Sequence, residues 1–198
     1  MDHPDDLYWN YIIEGIRDGF RIGLDYKLAP QLQSACSNMQ TATQRPKVIW
    51  TYLVEECSEG RVLGPLDPAQ YPFVHTNRFG VIPKGSSRKW RLIGDMSAPE
   101  GASVNDRVSK SLSSLSYIGV QDAVEGIQQL GPGALLAKID IRSAHRHVPI
   151  HPDDCWLTSM IWDGALFIDT ALLFGLRLGP KIFTALADAA EWILRRLE

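Results

Sequence analysis

The chain has 198 residues, 45% of them apolar, and a formal net charge of −3. That is enough chain to bury one good core, while no apolar run is long enough to span a bilayer, which excludes a membrane-embedded class. Cys36, Cys57 and Cys155 are odd in number and widely spaced, which excludes a disulfide framework and reads as reduced thiols in an intracellular protein, cytoplasmic or nuclear. The start, Met1-Asp2-His3-Pro4-Asp5-Asp6, is acidic where a secretory signal is basic and then apolar. An acidic total argues against nucleic-acid binding, but the charge is unevenly spread. Residues 79 to 150 carry nine basic and six acidic groups, and the flanking regions are both net acidic.

From Asp5 to Phe20 the apolar residues keep helical spacing behind Pro4 and three acids, which predicts an amphipathic helix. Gln31 to Arg45 reads as a polar loop. Pro46 then opens a second helix through Ile49, Leu53 and Cys57, with Gly60 as its stop, and Pro65, Pro68 and Pro72 mark a connection. Gly80 to Ile82 and Trp90 to Ile93 flank a Gly85-Ser86-Ser87 turn and predict a β-hairpin. Lys84, Arg88, Lys89 and Arg91 place four cations in eight positions, able to reach a polyphosphate, although a solvated basic turn is the plainer reading.

Pro99 to Asn105 is turn-rich and Ser109 to Ser116 is a loop. Val120 to Leu130 has the spacing of a core helix, closed by Gly131-Pro132-Gly133. Leu135-Leu136-Ala137-Lys138-Ile139 then reads as a buried strand that delivers Asp140 at its exit. A carboxylate there needs a cation or donors to face, although an aspartate after a strand also serves as a turn starter or helix cap. His145, His147 and His151 share a parity, and with Asp140 they offer a zinc-hydrolase alternative. Trp156 to Ile161 and Ala165 to Asp169 are strands joined through Asp163-Gly164, a strong hairpin signal. Gly175 and Gly179 permit close backbone approach, and Pro180 opens a last helix along Ile182, Phe183, Leu186, Ala190 and Ile193.

The order of Ile82-Pro83-Lys84 through Lys89-Trp90-Arg91-Leu92, then Ser103-Val104-Asn105-Asp106, then Lys138-Ile139-Asp140, then Phe174-Gly175-Leu176-Arg177 to Pro180 and Phe183 strongly resembles reverse transcriptases. The flanking Gly19-Phe20-Arg21-Ile22-Gly23 and Pro149-Ile150-His151-Pro152 look most like retrotransposons of the DIRS type. The resemblance implies an α+β fold of fingers and partial palm over residues 73–198, behind an N-terminal helical extension and linker over residues 1–72. It implies an RNA-directed DNA polymerase whose partners are an RNA or DNA template with primer and a dNTP. Lys84 and Arg91 would hold the triphosphate. Asp140 and the Ile141 carbonyl would hold two Mg²⁺ ions, and His145 would lie beneath the deoxyribose. Phe174, Gly175 and Arg177 would line the nucleotide and template.

Leu173 and Leu178-Gly179 depart from the family pattern, which has proline and Ser-Ala there. The family's Tyr-x-Asp-Asp hairpin is expected beyond Glu198. A single Asp140 does not bracket two ions, so this chain alone is expected to be inactive, and a catalytically inactive retroelement relic that binds nucleic acid is the alternative. The strand before Asp140 is then expected to keep one unpaired edge, leaving residues 134–198 loosely packed or aggregated when expressed alone.

Overall fold

The computed structural model describes residues 4–32, 34, 37–85, 89–117, 119–137 and 140–196. Helix α1 (Asp6–Asp18) starts where the Asp5 carboxylate accepts the Tyr8 N–H at 2.9 Å, and it ends at Gly19 with φ 92°. Its inner side rests on the last helix of the chain. The Tyr8 hydroxyl donates to the Ala185 carbonyl at 2.5 Å, and the Trp9 and Trp192 rings lie 5.4 Å apart. Residues 31–45, expected as loop, contain a short helix α2 (Gln40–Thr43). One turn is too short to leave a periodic signal, and tertiary bonds hold it: Met39 N donates to Phe79 O at 2.9 Å, and Val81 N to the Thr41 hydroxyl at 3.1 Å. Helix α3 (Pro46–Ser58) follows, opened by its proline.

Strand β1 (Val62–Leu66) occupies the proline-marked connection. Gly64 and Pro65 interrupt its register, which an edge strand tolerates because its outer side needs no donor. Strands β2 (Arg78–Pro83) and β3 (Trp90–Asp95) form the expected hairpin, from Pro83 opposite Trp90 to Arg78 opposite Asp95. Helix α4 (Val120–Leu130) has its expected bounds but no buried residue, and Val120 is 82% exposed. Amphipathic spacing marked the helix correctly, but its apolar side is only partly covered, with Val124 and Ile127 37% and 38% exposed.

Strands β4 (Ser159–Trp162) and β5 (Ala165–Asp169) meet at Asp163 and Gly164, whose φ values of 51° and 78° suit a tight hairpin turn. With β1 they make a three-stranded antiparallel sheet in the order β1-β5-β4. Helix α5 (Gly179–Leu194) closes the described chain, and none of the described helices is long and apolar enough to cross a membrane.

The core is in two parts. One gathers Ile12, Phe20, Ile22, Met96, Val104, Ile150, Leu172 and Ile182, and the other packs α3 and the hairpin onto the sheet through Ile49, Leu53, Phe79, Val81, Met160 and Phe167. Both draw residues from each side of position 72. Between them runs a buried ion network. Arg146, 5% exposed, lies 2.8 Å from Glu56 of α3 and 2.5 Å from Asp169 of β5, and Arg61 reaches Glu56 at 2.8 Å. Burial, helped by Glu56, pushes the Asp169 carboxyl up to about 7 against the pull of Arg146.

Two expectations need correcting. The apolar run before Asp140 is not a buried strand where it is described: residues 134–137 carry no strand pairing, and Leu135 is 94% exposed. Lys138 and Ile139 lie outside the described residues. A strand requires a ladder, and among the described strands every pairing is made elsewhere. The region after it is not loose, because Val148, Ile150, Leu157, Leu172, Leu176, Leu178 and Ile182 are core residues.

Candidate nucleic-acid interface

Successive residues of a strand point to opposite sides, so the hairpin has two chemical faces. Leu92 turns into the core against α3, with Trp90 on the same side. Arg91 points the other way. Its guanidinium carbon stands 5.4 Å from the centroid of the Phe174 ring, which is 37% exposed in the loop between β5 and α5. The two are close enough for a cation to rest on an aromatic face.

The position of Phe174 follows from the residues after it. Gly175 has φ 104°, and a Cβ there would lie 2.2 Å from the Gly94 carbonyl oxygen, so only glycine lets the loop press against β3. Buried Asn105 fixes the same loop. Its amide donates to Gly175 O at 2.8 Å and to the Ser97 hydroxyl at 2.9 Å, and its carbonyl oxygen accepts Arg177 N–H at 2.7 Å. Arg177 donates its guanidinium to the backbone carbonyls of Asn105 and Val108, the latter at 2.9 Å. Gly175 and Arg177, expected beside the nucleotide, thus here shape the loop that presents Phe174.

His145 reaches the same place from a short 3-10 turn, residues Ala144–His147. Ser143 opens the turn in left-handed backbone, φ 54°. The His145 ring is 4.6 Å from Phe174, nearly edge-on, and 5.3 Å from Phe183 of α5. Burial depresses its pKa below the usual histidine value, and its Nδ1 has no hydrogen-bond partner among the described residues. A neutral imidazole between two phenyl rings is therefore the form near pH 7. The structure thus aligns Arg91, Phe174, His145 and Phe183, four residues from four elements.

Lys84 is exposed at the hairpin end, where its N–H donates to Lys89 O at 2.8 Å, and Arg88 lies outside the described residues. Asp140 and Ile141 are exposed. Among the described residues no three histidine, cysteine, aspartate or glutamate side chains converge as metal ligands do. Asp140 alone does not fit a two-ion centre. The zinc-hydrolase alternative also fails on geometry. His145 stacks on phenyl rings, His147 Nε2 donates to Arg142 O at 3.0 Å, and His151 Nδ1 accepts Asp153 N–H at 3.2 Å. Alternation in an extended chain suggests one face, but the 3-10 turn over Ala144–His147 breaks that alternation.

Asn105 and Phe183 are the members that sequence reasoning quoted without giving them these roles. Asn105 bonds to partners about 70 positions away, which leave no local signal.

No protein-family model matches the chain, and no curated protein matches it significantly. Solved structures do. A foamy viral protease-reverse transcriptase in complex with RNA/DNA hybrid is 19% identical with a TM-score of 0.58, matching 89% of this chain and 21% of its own. The foamy viral protease-reverse transcriptase dRH in complex with double-stranded DNA is 20% identical at 0.56, matching 86% and 26%. A mutant of the Prototype Foamy Virus Protease-Reverse Transcriptase is 18% identical at 0.57, matching 83% and 19%. The chain thus spans about a fifth to a quarter of the length of those structures. At such identities the likeness speaks to architecture, and the architecture is reverse-transcriptase-like.

Proposed function

We propose that this chain is the fingers and partial palm, residues 73–198, of an RNA-directed DNA polymerase domain of retroelement origin, most like the DIRS type, behind a helical extension, residues 1–72. The observation that carries the reading is the alignment of Arg91, Phe174 and His145 on a reverse-transcriptase-like fold. Arg91 and Lys84 would neutralise the triphosphate of a dNTP, and the Phe174 and His145 rings would receive its sugar and base, next to a template and primer. An intracellular setting, cytoplasmic or nuclear, belongs to the same reading. Two Mg²⁺ ions belong to the complete site, with Asp140 and the Ile141 carbonyl as their holders on this chain. The described residues contribute one carboxylate to it, so no chemical step is assigned here.

The inactive relic is the second reading; among the described residues no second carboxylate converges with Asp140. Both readings bind nucleic acid and nucleotide; they part over incorporation. The test is binding of a primer-template and dNTP, with templated incorporation assayed in Mg²⁺ or Mn²⁺. Arg91→Ala and Phe174→Ala each weaken binding, by about 1 to 3 kcal/mol for a lost stacking contact. Asp140→Asn leaves binding intact, and the chain alone incorporates nothing. Wild-type affinity in both Arg91→Ala and Phe174→Ala would remove the site, and incorporation abolished by Asp140→Asn would make the chain an active polymerase.

A further inference from the structure

The other face of the hairpin holds a groove that the polymerase reading does not use. Between β3 and α3 opens a cavity of about 380 Å³. Lys47, Thr51 and Glu55 line it at the i, i+4, i+8 spacing of one helix face, and Val48 and Leu92 give it an apolar floor. Trp90, 36% exposed, forms the opposite wall beside Lys89. The Arg45 guanidinium stands 3.8 Å from the Trp90 ring centroid, covering that ring from one side. Among the described residues three cations therefore flank an indole left open on one side, against one carboxylate in the lining, Glu55.

We propose that this groove is a binding site for single-stranded nucleic acid, with a base on the apolar floor beside Trp90 and the flanking phosphates on Arg45, Lys47 and Lys89. The charge pattern selects a polyanion. The aromatic wall selects one with flat, unstacked rings, which a duplex does not offer and a single strand does. Because Trp90 and Arg91 point to opposite sides of β3, the groove and the Arg91–Phe174–His145 stack are separate surfaces. The inference stands on the groove alone and needs no polymerase activity.

The test uses the full chain and a labelled twelve-residue oligo(dT), followed by fluorescence anisotropy between 50 and 200 mM salt. Lys47→Ala/Lys89→Ala should weaken binding and flatten the plot of log affinity against log salt by about 1.4, since each single-strand phosphate contact contributes about 0.7. Trp90→Leu, which keeps apolar bulk but removes the indole face, should weaken it about fivefold or more. Thermal melts identify folded variants, and Lys47→Glu, an exposed change, replaces any that fail to fold. Arg91→Ala reports on the other surface and should leave the Lys47/Lys89 share of the slope in place. Wild-type affinity and slope in folded Lys47→Ala/Lys89→Ala overturn the site, and an unaffected Trp90→Leu overturns its base-stacking wall. An effect confined to Arg91→Ala overturns this inference while sparing the polymerase reading.

Discussion

Two apolar stretches of the C-terminal half have opposite fates. Leu135 and Leu136, just before Asp140, are 94% and 74% exposed, whereas Leu172 and Leu173, just before Phe174, are 0% and 5% exposed. Composition does not separate them, since each opens with two leucines. The difference is backbone partnership. Leu172 N–H donates to Val148 O at 2.8 Å, and Pro149 bridges to Ala171, so that stretch is bonded into the core. Among the described residues no backbone pairing holds residues 135–137. Apolar side chains are buried where the backbone groups beside them also find partners, because an unpaired buried amide or carbonyl offsets much of what burial contributes.

The largest expected effect tests what pins the ordered side. Arg146 lies on the turn between the two stretches, and it donates to Ala171 O at 3.1 Å as well as meeting Glu56 and Asp169. Arg146→Ala leaves Asp169 buried without its cation and Glu56 with Arg61 alone, and should destabilise by about 3 to 5 kcal/mol in urea unfolding, as broken buried pairs do. Arg142→Ala, four positions earlier and exposed, should stay within about 0.5 kcal/mol. Equal costs at the two arginines would mean that the ion network does not set the order of the region after it.

Much of this was legible in the sequence, and the failures share a cause. Helices α1, α3, α4 and α5 announced themselves by spacing and by Asp5, Pro46, Gly131 and Pro180 at their ends, and Asp163-Gly164 announced the hairpin. Those signals are local. Strand β1 was missed because Pro65 breaks its pattern and its partner, β5, lies about 100 residues on. The strand before Asp140 was overpredicted because an apolar run says nothing about whether a ladder awaits it. Arg146, between His145 and His147, looks like surface; its burial depends on Glu56, 90 positions earlier. In the candidate site the cations and the two faces of the hairpin follow from alternation, but the meeting of His145, Phe174 and Phe183 does not. Three chain segments converge there, and no periodicity encodes that.

A smaller effect sharpens the contrast between the leucines. Leu172→Ala removes buried methyl groups and leaves a cavity, which should cost about 2 to 5 kcal/mol. Leu135→Ala removes a side chain already in solvent and should cost no more than about 0.5 kcal/mol. Chemical denaturation midpoints compare the two directly. A Leu135→Ala cost near that of Leu172→Ala would show that the segment before Asp140 is buried in solution, and the comparison would collapse.

The smallest effect is a dependence on pH, and it belongs to the buried side. His75, 4% exposed, and His145 both have pKa values depressed by burial, so each is neutral in the fold while its unfolded counterpart takes a proton below about pH 6.5. Their contribution is present above that pH. As pH falls through 6.5 the unfolded state binds more protons, and stability declines, by at most about 1.4 kcal/mol per pH unit for His75. Asp169 has the opposite sign. Its carboxyl is raised to about 7, so between about pH 4 and 7 the folded state holds a proton that the unfolded chain has lost, and acidification over that window stabilises. From pH 7 to 5 the two effects oppose, which predicts a shallow profile for the natural sequence. Asp169→Asn removes the stabilising member and should make the acid decline steeper, while His75→Gln should make it shallower or reverse it. Urea titrations at several pH values read both slopes. A steeper decline in His75→Gln would mean that His75 is protonated in the fold, and its burial against Asn77 would then have to be redrawn.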